Sequence, residues 1–509
     1  MRQALRQSGR NLRATTFTLP PPIRGWNRRD ALDAMNKLDA VELTNMFPTD
    51  GDVKLRKGFT SHSTGLPSMP NTLVEFNAIT TRKLISAAST SIYDSTSDPS
   101  VSLATGFASD KWQTAQFDQA GTPLMGLVNG SDAPQKYDGT VVSPMTISGT
   151  GLTPANLDGI NIFKSRSYFW DSSTQDFWYS AVNALGGTMT KFPLGRLSGL
   201  GGNLIAMGTW NIDGGDGVND VAVFCMSSGD VIVYRGSDPG ADFAEVGIFS
   251  IAPPLGIRAV KKIGSDLIIT TQEGYVPMSK VLRRGRVDDK GAVSDRIRGE
   301  VLDVTSAHKA NYGWDITLYP KGNMLIFNVP VTGVKFEQHV MNTNTRAWSK
   351  FTGMNGSAWV TFNDELYFGG DGVIFKADNG LNDNGVAIDG VGQPAWSHLG
   401  IRGRQKSASL VRFIGRTQAF QLDYKLELGV DFVTPTGVVD DLFPAVSGSS
   451  WDTSAWDTSS WSLENRILER WESTTRIGDA FSPRLQVSSS TQSFDWISTG
   501  VVFKVGSLI

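Results

Sequence analysis

An all-β chain built mainly as one β-propeller is predicted from three observations: a blade-sized stretch of short strands, a turn motif that recurs at long period, and a turn-rich composition. The stretch runs from Met341 to Asp378 and reads as four short strands in under forty residues, the size of one antiparallel blade. Val360 and Phe362 alternate before Asn363-Asp364, and Leu366 and Phe368 alternate after it, which is a hairpin pattern around a two-residue turn. Trp348 supplies a large aromatic body for the core. Gly369, Gly370, Asp371 and Gly372 form the turn that closes one strand and opens the next, so these five residues are read as defining the fold.

The turn motif recurs as short apolar runs at Ile92-Tyr93-Asp94, Tyr137-Asp138-Gly139, Phe177-Trp178-Tyr179, Val231-Ile232-Val233-Tyr234, Tyr275-Val276-Pro277, Val340-Met341-Asn342 and Val373-Ile374-Phe375. From residue 93 to residue 375 the six intervals average 47 residues, the period of four-stranded blades. The expectation is about seven blades, with six or eight as the neighbouring counts, and an array of β-sandwiches as the structural alternative. Composition agrees: 509 residues, 40% hydrophobic, 19% charged and 54 Gly describe a turn-rich globular protein.

Taken in order, residues 1–29 form a basic arm with Arg2, Arg6, Arg10, Arg13, Arg24, Arg28 and Arg29 and no acid. Pro20-Pro21-Pro22 favours an extended chain there, either poorly ordered or docked on a partner. Residues 30–393 are expected to hold the propeller, with its blades mainly in 70–393. Val41 and Leu43, then Val53 and Leu55, alternate around the turn at Pro48-Thr49-Asp50-Gly51, so the chain enters the first blade through a hairpin. Residues 394–509 are read as a separate β-rich domain. There Phe420, Leu422, Tyr424, Leu426, Leu428, Val430 and Phe432 alternate strictly, as the longest single strand. Trp451, Trp456 and Trp461 recur every five residues, which fits neither a strand face nor a helix face and reads as a loop repeat, an interface candidate together with the arm arginines.

Several function classes are excluded or disfavoured. A formal charge of −3 argues against a generally basic nucleic-acid binder. One cysteine, Cys225, excludes an intrachain disulfide or a Cys-based zinc site and is read as a small buried hydrophobe. His62, His308, His339 and His398 are too scattered for a ligand cluster. Neither a secretory leader nor a membrane span is expected, so the chain is expected in a reducing cytoplasm until assembly. Asp213, Asp216 and Asp220, with Asn211 and Asn219, could offer oxygens to calcium, but their spacing departs from the EF-hand loop, and a metal-free Gly-Asp turn is favoured. The run Asp378 to Gly385 is read the same way. Arg283, Arg284, Arg286, Arg296 and Arg298, with Lys261 and Lys262 upstream, are interleaved with Asp288, Asp289, Asp295 and Glu300, and are read as a solvated mixed-charge loop. No nucleophile elbow, His-Glu-x-x-His or phosphate loop is present. No enzyme activity and no cofactor are expected.

Five stretches resemble the nozzle proteins of short-tailed phages, also called tail tubular or packaged-DNA stabilisation proteins. They are Val41–Pro48 with Leu55–Phe59, Gly229–Pro239, Val340–Phe351, Tyr367–Gly372, and Trp451 to Asp457. The resemblance implies a propeller subunit of a homohexameric tube in the virion tail. That tube would lie below the portal-adaptor ring, hold double-stranded DNA in its lumen until ejection, and carry fibres or spikes on its outside. The near-neutral charge suits such a wall, since multiple phosphate contacts would bind DNA strongly and slow its exit. The alternative is a propeller that binds or cleaves cell-surface glycans.

Overall fold

The computed structural model describes residues 14–78, 81–196, 199–213, 218–284, 291–417, 422–435, 441–442 and 466–508. By contact the chain divides into two compact units. One takes residues 59–343 and 351–380; the other takes residues up to 58, 344–350 and 381 onward. The sequence places boundaries at 29/30 and 393/394, whereas by contact residues 30–58 and 381–393 group with the C-terminal stretch.

The first unit is a β-propeller. Each blade is an antiparallel meander of consecutive strands, which a short turn can join without a crossover. The first has Thr72–Asn77, Arg82–Ala88, Ser91–Asp94 and Val101–Thr105; the second has Gln113–Gln119, Thr122–Val128, Gln135–Tyr137 and Val142–Pro144. The third runs from Gly159–Phe163 through Arg166–Trp170 and Phe177–Tyr179 to Gly187–Phe192, with Ile147–Gly149 added in parallel at its edge. The fourth has Leu204–Asp213, Val218–Met226, Asp230–Arg235 and Ala244–Ser250; the fifth has Val260–Ile263, Asp266–Thr271 and Gly274–Pro277. The last is Trp359–Phe362, Glu365–Gly369 and Ile374–Ala377, and its fourth strand is Phe59–Ser63, from the other end of the unit. The first strands of successive meanders touch in chain order, and the last touches the first, closing the ring.

Six sheets thus stand alone as blades among the described residues, not the seven expected. The remaining meander, Asp315–Tyr319, Met324–Pro330 and Phe336–Asn342, holds a place in the ring but forms part of a longer hydrogen-bonded ladder instead of a sheet of its own. A turn motif marks a third strand and cannot tell whether the sheet stops there. The stretch Met341–Asp378 is likewise corrected: it gives three strands of the last blade, and the fourth is borrowed from Phe59–Ser63. Its hairpin is as expected, with Asn363 and Asp364 at φ 47° and 61°, as a primed turn requires.

Blade-on-blade packing explains the run Val221 to Met226. Ala222, Phe224 and Met226 join a cluster with Tyr168, Phe177 and Tyr179 of the third blade. Val221, Val223 and Cys225 point the other way, into a cluster with Leu267, Ile269 and Val276 of the fifth. Both faces are covered, so the strand is apolar at every position rather than at alternate ones. Cys225 is buried as expected, and burial pushes its thiol up to about 12.

The mixed-charge loop expected at 281–300 is corrected at its two ends, and residues 285–290 lie outside the described residues. Helices cover Met278–Arg284 and Arg298–His308. The second turns Val301, Val304 and Thr305 inward and carries Glu300 in its first turn, where a carboxylate suits the helix dipole. The charges hid a short apolar stripe at helical spacing.

The second unit is two β-sheets facing each other. In one, Phe494–Leu508 runs between Arg404–Thr417 on one side and Thr15–Leu19 and Val53–Leu55 on the other. In the other, Asp39–Thr44, Ile388–Pro394, Phe481–Ser489 and Asp423–Val430 are successive neighbours. Gly392 lets the sheets approach: a Cβ there would stand 2.7 Å from the Trp496 ring and 3.1 Å from the Met46 sulfur. Among the described residues the longest strands are Phe494–Leu508 and Arg404–Thr417, not the expected series around Tyr424. That series gives the shorter strand Asp423–Val430, and Phe432 leaves it with φ 69°.

The arm reading is corrected for its described part. Thr15–Leu19 pairs residue by residue with Thr499–Phe503, and Gly25–Trp26 pairs in parallel with Asp39–Ala40. Leu19 and Trp26 are buried. The prolines end one strand and let the chain turn into the next, so the extended backbone is spent on ladders within the unit.

Candidate site in the propeller channel

The innermost strand of every meander contributes to a cavity of ≈ 460 Å³ in the propeller unit, within the ~300–1,000 Å³ range of small-ligand sites. Glu75 enters from the first blade, Gln113 from the second, Asn161 from the third, Lys261 from the fifth, and Asp315 from the meander 315–342. Both signs of charge face the space.

Arg258 precedes the fifth blade and reaches across the ring. Its Nη2 donates to the Asn71 carbonyl at 3.0 Å and to the Trp112 carbonyl at 3.1 Å, and lies 3.4 Å from Thr72 Oγ1. Tyr312 Oη donates to the same Asn71 carbonyl at 3.2 Å. The Tyr312 ring lies beneath two cations, Lys111 Nζ at 4.6 Å and Arg258 Cζ at 5.4 Å from its centroid, an arrangement favoured by the ring quadrupole. Burial pushes its phenol up to about 12. These contacts tie the leading ends of blades one and two to the opposite side of the ring, across the channel. A space of this size admits a small molecule and not a nucleic-acid duplex.

The polar groups on the wall are unequally satisfied. Asn161 donates to the Met207 carbonyl at 2.7 Å and accepts from the Ile162 N–H at 2.7 Å. Glu75 Oε1 and Gln113 Nε2 are buried atoms without a hydrogen-bond partner among the described residues. Arg82 Nε stands 3.8 Å from Glu75 Oε1, beyond hydrogen-bond reach. Burial raises the Glu75 carboxyl above its usual range, against the attraction of Arg82.

The residues singled out in the sequence fall elsewhere. Arg2, Arg6, Arg10 and Arg13, and Trp451, Trp456 and Trp461, lie outside the described residues. Arg24 pairs with Asp39 at 3.4 Å, Arg29 pairs with Asp30 at 2.8 Å, and Arg28 is exposed. Trp348 is 1% exposed and pairs with Gly25, where a Cβ would meet its carbonyl oxygen at 2.5 Å. Gly369 packs on Pro70 and Gly370 on the Phe375 ring, Asp371 is exposed, and Gly372 has φ 71°.

The Asp-rich stretches have other partners. Asp220 accepts from Lys164 and Asn211 from Lys262, each at 2.9 Å. Asp383 is clasped by Arg56 at 2.8 and 2.6 Å. Among the described residues no group of three or more His, Cys, Asp or Glu is placed to hold a metal ion. Sequence reasoning missed Glu75, Gln113 and Arg258 because each channel residue comes from a different blade. The available signal was positional: every turn motif marks a third strand, so the channel strand lies two strands ahead of it.

No protein-family model matches this chain, and none of the curated proteins compared with it does. Among solved structures there are matches at low identity. Sqt1 of Saccharomyces cerevisiae is 11% identical with TM-score 0.38, covering 66% of this chain and 86% of that one. BBS1N, solved in complex with ARL6DN, is 10% identical with TM-score 0.38, covering 63% and 97%. U3-55K is 11% identical with TM-score 0.36, covering 58% and 91%. Among the described residues no helix is long and apolar enough to cross a membrane.

Proposed function

We propose that this chain is a structural subunit of a short phage tail, the nozzle, which assembles as a ring of copies below the portal-adaptor. The observation that supports it is architectural. In sequence the propeller unit interrupts a second β unit built from both ends of the chain, and the segments that resemble nozzle proteins, apart from Trp451 to Asp457 outside the described residues, include paired strands of both. Val41–Pro48 covers most of two strands of the second unit, and Gly229–Pro239 covers the third strand of the fourth blade. The propeller's own cavity of ≈ 460 Å³ is too small for a duplex, so DNA would pass through a lumen between copies. Fibres or spikes would attach on the outside of that ring.

The test is direct. The purified protein is imaged by electron microscopy and its mass measured by light scattering, alone and mixed with tailless particles bearing the adaptor. A hexameric ring that docks below the adaptor is expected. A monomer that never associates with such particles, or release of reducing sugar from host glycans, overturns the reading.

A further inference from the structure

The channel holds a feature that a structural wall does not use. Glu75 and Gln113 line it, and neither Glu75 Oε1, 3.8 Å from Arg82 Nε, nor Gln113 Nε2 has a hydrogen-bond partner among the described residues. A buried polar atom left unpaired costs about 1–3 kcal/mol, so a native protein normally satisfies it. The carboxylate needs a donor and the amide nitrogen needs an acceptor. A hydroxyl is both, and it fits either orientation of the Gln113 amide.

We propose that the propeller channel binds one polyhydroxylated ligand of the pyranose class, whose hydroxyls are offered to Glu75 and Gln113. The charges argue for a neutral ligand over an ionic one. The lining carries Glu75 and Asp315 alongside Arg258 and Lys261, Arg82 Nε stands 3.8 Å from Glu75, and the Arg258 Nη2 is already committed to backbone carbonyls. The ≈ 460 Å³ volume suits a single ring with its hydration. A cavity of this volume takes a single sugar residue or a chain end.

Saturation-transfer NMR on the full chain tests this, with glucose, galactose, mannose and N-acetylglucosamine as probes. Transfer to at least one sugar is expected, weakened about tenfold in Glu75→Gln, the effect of losing about 1.4 kcal/mol from a charge-assisted hydrogen bond. A comparable loss is expected in Gln113→Ala. Circular dichroism and the unfolding midpoint confirm that each variant is folded. No transfer to any probe from the folded wild type overturns the proposal. So does equal binding by both variants, or a crystal structure with ordered water satisfying both atoms and no sugar bound after soaking. Neither outcome bears on whether the protein assembles as a tail ring.

Discussion

The propeller and the second unit are made of the same material by opposite rules. In the propeller, pairing is almost entirely between strands adjacent in sequence, so one turn motif reports one meander. In the second unit, Phe494–Leu508 pairs with Thr15–Leu19, Val53–Leu55 and Arg404–Thr417, and no local pattern announces those partners. The lesson is that a hydrophobic period reveals a strand and a turn reveals its neighbour, but distant pairing leaves no mark on the letters. Stability should divide along the same line: changes in the second unit should spread over stretches far apart in sequence, and changes in a blade should stay local.

The largest effect tests that division at the terminus. Deleting residues 2–24 removes Thr15–Leu19 and the buried Leu19, exposing one edge of Phe494–Leu508. Hydrogen exchange at Thr499–Phe503 should rise sharply and the unfolding midpoint should fall. Unchanged exchange there would mean that the ladder is not formed.

Trp348→Ala should cost about 3–5 kcal/mol, as a large side chain is removed from a buried site. Denaturant titration measures the loss, and exchange should increase at Gly25–Trp26 and Asp39–Ala40. A change below about 1 kcal/mol would contradict the burial found for this ring.

Asp383→Ala leaves the Arg56 guanidinium, 1% exposed, without its carboxylate. A loss of about 3–5 kcal/mol is expected from an uncompensated buried charge. Arg56→Met together with Asp383→Leu should recover much of it. A double variant as unstable as Asp383→Ala would show that the pair is not what matters.

Gly372→Ala asks the same of a blade. With φ at 71°, a Cβ should cost about 1 kcal/mol, and exchange should rise only in Glu365–Gly369 and Ile374–Ala377. The smallest effect is pH-dependent. Glu75 has a raised carboxyl pKa in the folded state, so folding favours its protonated form. Its favourable contribution is complete below the ordinary carboxylate range and is lost as pH rises through the raised value. Glu75→Gln should therefore gain stability relative to wild type near neutral pH, and the gain should vanish in acid. A gain independent of pH would point to a cause other than ionisation.

What was legible follows the same division. The motifs from Tyr93 to Phe375 all fall on third strands, and the Asn363-Asp364 turn was readable because positive φ selects those residues. The six separate blades were not countable, since Val340-Met341-Asn342 has the same motif whether or not its sheet ends there. The arm was misread because seven arginines suggest solvent, while the strand itself is Thr15–Leu19, whose one buried position is Leu19. The channel site was illegible because Glu75, Gln113 and Arg258 become neighbours only when the ring closes.

That closure sets an order of events during synthesis. Phe59–Ser63 leaves the ribosome early, yet its partner Ile374–Ala377 follows about 310 residues later. At translation rates of about 5–20 residues per second, the strand waits on the order of 15–60 s with its edge unpaired. Throughout that interval every completed blade adds to an open arc with two unsatisfied ends. A trigger-factor-like holdase that shields nascent strand edges, or slow codons placed after residue 377, should raise the yield of soluble protein more than a lower growth temperature does. A circular permutant that begins after Ser63 and restores Phe59–Ser63 behind Ala377 would abolish the wait.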